Sequence, residues 1–189
     1  MIILGIDPGL AIVGYGVIEY EKNRFRTLAY GAITTPAHTP IPERLSMIWR
    51  EMNLLIEKWH PEDLAIEELF FNTNATTGIA VAEARGVILL AAEMNHVRIF
   101  EYTPLQVKQS VVGYGRAEKE QVIMMVQTIL GLAKPPKLDD TADALAIAIC
   151  HAHTGTSRLA EFYNKPTTMA GKIGQEGKGS RKNPFLQGR

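Results

Sequence analysis

An abrupt change of hydrophobic period, after three strand-like runs, limits the fold of this chain more than any other feature. Ile2 to Asp7 is a short apolar run rich in β-branched residues, closed by the turn residues Pro8 and Gly9. Val13 to Tyr20 and Phe25 to Thr35 read as two further strands, joined by the charged turn Glu21-Lys22-Asn23-Arg24. Consecutive strands with such short turns make an antiparallel meander. The period then lengthens. From Pro42 to Trp59, the residues Leu45, Ile48, Trp49, Met52, Leu55, Ile56 and Trp59 fall on one helical face. Leu64 to Glu67 reads as a short buried strand, Thr76 to His96 as a long helix, and Val97 to Tyr102 as the fifth strand. Pro104 opens another helix, which breaks at Gly113-Tyr114-Gly115. Helix resumes from Ala117 to Leu130, and a last one runs from about Asp140 to His153. Five strands mixed with covering helices predict an α/β layer domain. There is no internal repeat.

A chain of 189 residues, 46% of them hydrophobic, suffices for one such domain and a tail. The formal charge of zero hides an asymmetry. Residues 157–189 carry seven Lys or Arg against two Glu, a net of +5, which leaves −5 on residues 1–156. The segment is also rich in Gly, Ser and Thr, so the expected organisation is a domain at 1–156 and a flexible basic tail at 157–189. A basic tail suits nucleic acid, and equally a solubilising end. Cys150 is the single cysteine and reads as a small core residue. The opening Met1-Ile2-Ile3-Leu4 lacks the basic flank of a signal peptide, and apolar runs such as Val87 to Ala92 are too short to span a bilayer. A cytoplasmic location without membrane contact is the expectation.

The chemistry-bearing residues are carboxylates. Asp7 and Glu67 each end a strand, where open α/β sheets bind ligands. Asp140 and Asp143 are three residues apart, one helical turn on a common face. Clustered carboxylates repel, and burial disfavours their ionised form. Hard divalent cations reverse both effects, and Mg²⁺ takes oxygen ligands. Two such ions, roughly 3.5–4 Å apart, clamp a phosphodiester for hydrolysis. Histidine–cysteine zinc spacing is absent. Each residue also has a plainer reading: Asp7 as a turn former, Glu67 and Glu68 as a solvated strand end, and Asp140 with Asp143 as a helix cap. For Glu68 the solvated reading is the better one, and Asp139 fits as a cap or solvated neighbour. His151 and His153, further along the same helix, are explained by a surface helix end.

Gly5-Ile6-Asp7-Pro8-Gly9, Gly14-Tyr15-Gly16, Ala65-Ile66-Glu67, Ala84-Arg85-Gly86, Gln106-Val107-Lys108-Gln109, Gly113 to Lys119 and Ala142 to Ala148 together resemble the RuvC family of bacterial Holliday-junction resolvases. The resemblance is collinear from residue 1 to about 153 and excludes the tail. It implies an RNase H-like fold with a five-stranded mixed sheet and helices on both faces. It implies a homodimeric, structure-selective endonuclease that resolves four-way DNA junctions in recombination and repair. The implied products are symmetric nicks with ligatable 5′-phosphate ends. It further implies two Mg²⁺ per subunit, with Mn²⁺ as a substitute, and cooperation with the RuvA–RuvB branch-migration complex. By the same resemblance Asp7, Glu67, Asp140 and Asp143 are catalytic and metal-binding. Lys108, Lys119 and Phe70 contact DNA, Phe70 as an aromatic wedge that stacks on bases. Lys119 also falls near a helix N-terminus, which suits phosphate.

Three rival readings remain at this stage. An actin-like or sugar-kinase ATPase shares the first strands and the Asp-x-Gly turn, but it needs a second domain and leaves Asp140 and Asp143 unexplained. A non-catalytic junction-binding module is disfavoured by the presence of all four carboxylates. An RNase H-like nuclease acting on structured RNA is not excluded by active-site residues alone.

Overall fold

The computed structural model describes residues 1–69 and 75–155. The strands are β1 (Ile2–Asp7), β2 (Ile12–Glu21), β3 (Arg24–Thr34), β4 (Asp63–Glu67) and β5 (Arg98–Tyr102). The helices are α1 (Ile41–Trp59), α2 (Ala75–Met94), α3 (Pro104–Val112), α4 (Lys119–Leu130) and α5 (Asp139–Gly155). The strands form one mixed sheet in the order β3-β2-β1-β4-β5. β1 pairs antiparallel with β2 and parallel with β4, so it sits centrally between the meander and the parallel half. Lys22 and Asn23 both take positive φ in the β2–β3 turn, the conformation a tight hairpin requires.

Alternation along the strands sends side chains to two cores. Leu4, Ile6, Val13, Val17, Leu64 and Ile66 pack on one face beneath α1 and α2. Ile3, Ile18, Ala65 and Tyr102 pack on the other beneath α3, α4 and α5. Helices therefore cover both faces, as expected. On α1 the buried residues Ile48, Met52 and Ile56 repeat every four positions. Trp49, which the period places on that face, lies one residue round the helix and is exposed instead. α5 is the most deeply seated helix, with every residue from Thr141 to Ala152 buried except Asp143. α4 begins two residues later than its hydrophobic period suggests, because the Gln121 side chain accepts the Glu118 N–H at 2.9 Å and closes the helix start there.

The seat of α5 is made by glycine. A methyl group added at Gly5 would collide with the Ala144 carbonyl oxygen, and one at Gly14 with that of Asp140. Both blocking atoms are backbone, so neither can rotate away. The absence of Cβ on β1 and β2 thus lets the α5 backbone lie directly on the sheet.

Gly5→Ala is expected to destabilise the fold by about 3 kcal/mol, the upper range for forced overpacking. Urea denaturation measures it, and an unchanged midpoint would contradict the close approach.

Candidate active site

Strand parity decides where the carboxylates point. Ile3 and Gly5 face α5, and Asp7 continues that alternation at the end of β1. Ala65 faces α5 as well, and Glu67 follows it at the end of β4. The two strands are adjacent and parallel, so both carboxylates emerge at the same sheet edge. The partner of Asp7 on β2 is Gly14, and Gly14 is where the Asp140 backbone rests. The first turns of α5 therefore deliver Asp140 and Asp143 over the ends of β1 and β4. The first bonds of α5 run to the Leu138 carbonyl, so Asp140 lies inside the helix and is not its N-cap.

The carboxylates sense one another strongly. Burial pushes the Asp7 carboxyl up to about 8, and the charges of Asp143, Glu67 and Asp140 add to the shift. Burial also raises Glu67, with Asp143 adding to it and Lys108 opposing it. Asp143 is raised by burial against the pull of Lys119.

Lys119 is the first residue of α4, and its Nζ lies 3.4 Å from Asp143 and 3.2 Å from Asp139. Desolvation works against its charge, but Asp143 and Asp139 outweigh it and hold the ammonium above its ordinary range. Lys108 of α3 joins Lys119, Glu67 and Asp143 around a cleft of about 200 Å³. Glu68 lines a neighbouring recess with Asp7 and Glu67. Phe70 lies outside the described residues.

Asp139, read as a cap or a solvated neighbour, is 64% exposed as the solvated reading has it, and it also pairs with Lys119. Arg85 escaped the sequence reading. Arg85 donates from Nε to the Glu67 carbonyl at 3.3 Å and pairs with Glu101. Its side chain is only 13% exposed. The available signal was an arginine amid small and apolar helix residues, at Ala84-Arg85-Gly86. The surface reading of the two histidines holds for His153 and fails for His151, which is buried between α5 and the sheet.

The donor set suits a hard cation. It contains oxygen only, it is crowded with carboxylates, and burial raises the proton affinity of Asp7, Glu67 and Asp143, a cost that a cation would offset. Among the described residues no three such side chains stand ready to share one ion as placed. Repulsion keeps like charges apart, and Lys119 engages Asp143.

A central β1 flanked by a meander and a parallel β4, with acids at the ends of β1 and β4 and on a helix crossing them, defines a domain of the RNase H-like class. The family model described as Crossover junction endodeoxyribonuclease RuvC matches residues 3–151. A relative from Alkaliphilus oremlandii carrying the same description is 64% identical over 155 residues, covering 82% of this chain and 94% of the relative. The solved structure of RuvC from Thermus thermophilus superposes with a TM-score of 0.77 at 37% identity, covering 82% of this chain and 95% of that one. The same Thermus protein in complex with a Holliday junction substrate matches with a TM-score of 0.77 at 38% identity, covering 80% and 93%. This chain belongs to the RuvC family.

The Asp7 shift carries a pH consequence. A carboxyl whose proton is held more tightly in the folded state stabilises the fold fully below its unfolded value of 3.8. That contribution is lost as pH rises toward about 8. With a chelator present, Asp7→Asn should melt higher than the wild type at pH 8–9, and the gap should close toward pH 4. Thermal melts across that range test it; equal melting points at pH 9 would show that Asp7 bears no such strain.

Proposed function

We propose that this chain is a Mg²⁺-dependent endonuclease that resolves four-way DNA junctions by paired, symmetric hydrolysis in recombination and repair. The observation that carries the reading is the convergence of Asp7, Glu67 and Asp143, each held above its ordinary proton affinity, at one sheet edge beside Lys108 and Lys119. Membership of a family with a junction-bound solved relative supports the substrate.

In this reading Asp7, Glu67, Asp140 and Asp143 hold two divalent ions, Mg²⁺ or Mn²⁺. Ions held by these residues would supply Lewis-acid polarisation of the phosphodiester and an activated water, and hydrolysis would leave 5′-phosphate and 3′-hydroxyl ends. Lys108 and Lys119 neutralise phosphate at the cleft, Lys119 with the help of the α4 N-terminus. Lys119 exchanges a carboxylate partner for a phosphate when it does so. Phe70, directly after the catalytic strand, stacks on a base near the crossover.

Symmetric nicks need two sites, and the proposed assembly is a homodimer through α2. One side of α2 buries Ala84, Ile88, Ala91 and Ala92. The other exposes Ile79, Leu90 and Met94, with open space above Gly86. Such an apolar stripe fits a partner surface. Cooperation with a RuvA–RuvB complex and a cytoplasmic location belong to the same proposal. No described helix is long and apolar enough to cross a membrane.

Incubation with a synthetic four-way junction and Mg²⁺ should yield symmetric nicks on opposite strands. Asp7→Asn or Asp143→Asn should slow cleavage by at least about 10²-fold while sparing binding, because phosphate contacts dominate affinity. Equal cutting of linear duplex, or normal cutting by Asp7→Asn, would overturn the assignment.

The boundary near residue 156 is likewise a proposal, supported by the net +5 that follows it. Removing residues 157–189 should leave the cleavage rate at saturating junction unchanged and flatten the salt dependence of binding. Loss of cleavage on truncation would place the tail in the site.

A further inference from the structure

β4 and α5 carry the carboxylate site at one end and, at the other, a second polar cluster centred on the buried side chains of Asp63, His151 and Tyr102. His151 is 1% exposed and Asp63 2%. His151 Nε2 lies 2.9 Å from Asp63 Oδ2, and its Nδ1 lies 2.7 Å from the Tyr102 hydroxyl. Arg98 Nε donates to the other Asp63 oxygen at 2.7 Å. The His151 ring rests against Phe100, with ring centroids 4.4 Å apart. A carboxylate accepts, which assigns the proton to Nε2 and lets Nδ1 accept the Tyr102 O–H. The Tyr102 oxygen in turn accepts from Thr154 at 3.2 Å. Burial of so many polar groups is tolerable only when they are paired, and these are.

The spacing of this cluster matches that of the site. Asp63 and Glu67 lie on the same face of β4, four residues or about 13 Å apart. Asp143 and His151 lie on α5, eight residues or about 12 Å apart. The strand and helix run in opposite directions, since His151 meets Asp63 while Asp143 lies near Glu67. The two elements therefore resemble a ladder with two rungs of equal separation. The Asp63–His151 rung attracts. The Glu67–Asp143 rung repels. Elsewhere α5 rests on β1 and β2 through glycine, alanine and leucine, and on β3 through Thr141, which donates to the Gly31 carbonyl at 3.1 Å; the Asp63–His151 pair is a directional contact with β4. Tyr102 ties the cluster to the site directly, because it is the β5 register partner of Glu67 and its carbonyl accepts the Glu68 N–H at 2.9 Å.

We infer that His151, with Asp63 and Tyr102, is a positioning residue that fixes α5 along β4 and so holds Asp143 opposite Glu67 against their repulsion. This rests on the carboxylate site proposed above. Its logic is directional: a hydrogen-bonded imidazole sets the axial position of the helix, and an apolar side chain of similar size does not. A misplacement of about 1 Å at a reacting centre slows a reaction by about 10²-fold.

The test compares His151→Leu and His151→Gln with the wild type and with Asp143→Asn, all as full chains. Four quantities are read: cleavage rate at saturating junction, the Mg²⁺ midpoint for cleavage, junction affinity in chelator, and the rise in melting temperature on adding Mg²⁺. His151→Leu should cut about 10²-fold more slowly. It should also need more Mg²⁺ and show a smaller Mg²⁺-induced rise in melting temperature, with junction affinity unchanged. His151→Gln keeps an N–H donor toward Asp63 and should recover most of the rate. Wild-type rate and Mg²⁺ midpoint in His151→Leu overturn the inference. So does equal loss in both variants in proportion to lost stability. If His151→Leu does not fold, Tyr102→Phe serves instead, since it removes a hydroxyl and leaves the ring. It should slow cleavage and raise the Mg²⁺ midpoint, and wild-type values for both overturn the inference. A wild type that leaves junctions intact, or an Asp143→Asn that cuts normally, instead refutes the site itself and the inference with it.

Discussion

The close seating of α5 on β1 and β2 is the contact on which the rest of the molecule depends. Backbone meets backbone at Gly5 and Gly14, so the helix axis lies nearer the sheet than an ordinary side-chain layer allows. That proximity brings acids from the far end of the chain to the ends of two central strands. It also accounts for the small residues along α5, where Ala144 and Ala148 meet Gly5 and anything larger would lift the helix. The apolar packing on both sheet faces supports this contact, and the chemistry follows from it.

The same seating creates an electrostatic problem that the fold answers in parts. Asp7, Glu67 and Asp143 are each pushed toward their neutral forms by burial. Lys119 and Lys108 oppose this for Asp143 and Glu67. Arg85 approaches from α2 and secures the Glu67 main chain, with its own charge balanced by Glu101. Hydrogen bonds at the other end of α5 hold the helix where its acids are crowded. A site of this kind tolerates strain because neighbouring contacts overdetermine it.

Most of the fold could be read from hydrophobic pattern, because β1 and β4 are short apolar runs buried on both faces and α1, α4 and α5 are amphipathic or small-residue helices with defined ends. The element order and the five strands follow from that pattern. What escaped depends on partners distant in sequence. Period alone placed Trp49 in the core, although its neighbour Ile48 sets the buried face. His151 looked like a surface residue because its partners Asp63 and Tyr102 are 88 and 49 positions away. Asp139 is solvated as read, but nothing local marks Lys119 as its partner. The carboxylates themselves were readable, since strand ends and a three-residue spacing are local features. The raised proton affinity of Asp7, Glu67 and Asp143 was not, because it arises chiefly from burial by the assembled fold.

The position of α5 in the chain has a bearing on synthesis. Asp7 and Glu67 leave the ribosome long before Asp140 and Asp143, and the described fold is closed by its last helix. Domains form largely as units as they emerge, and contacts between distant segments are made late. A nascent or prematurely terminated chain thus holds half of a carboxylate set and none of the helix that completes it. The order of translation keeps an incomplete chain from acquiring the full set of acids.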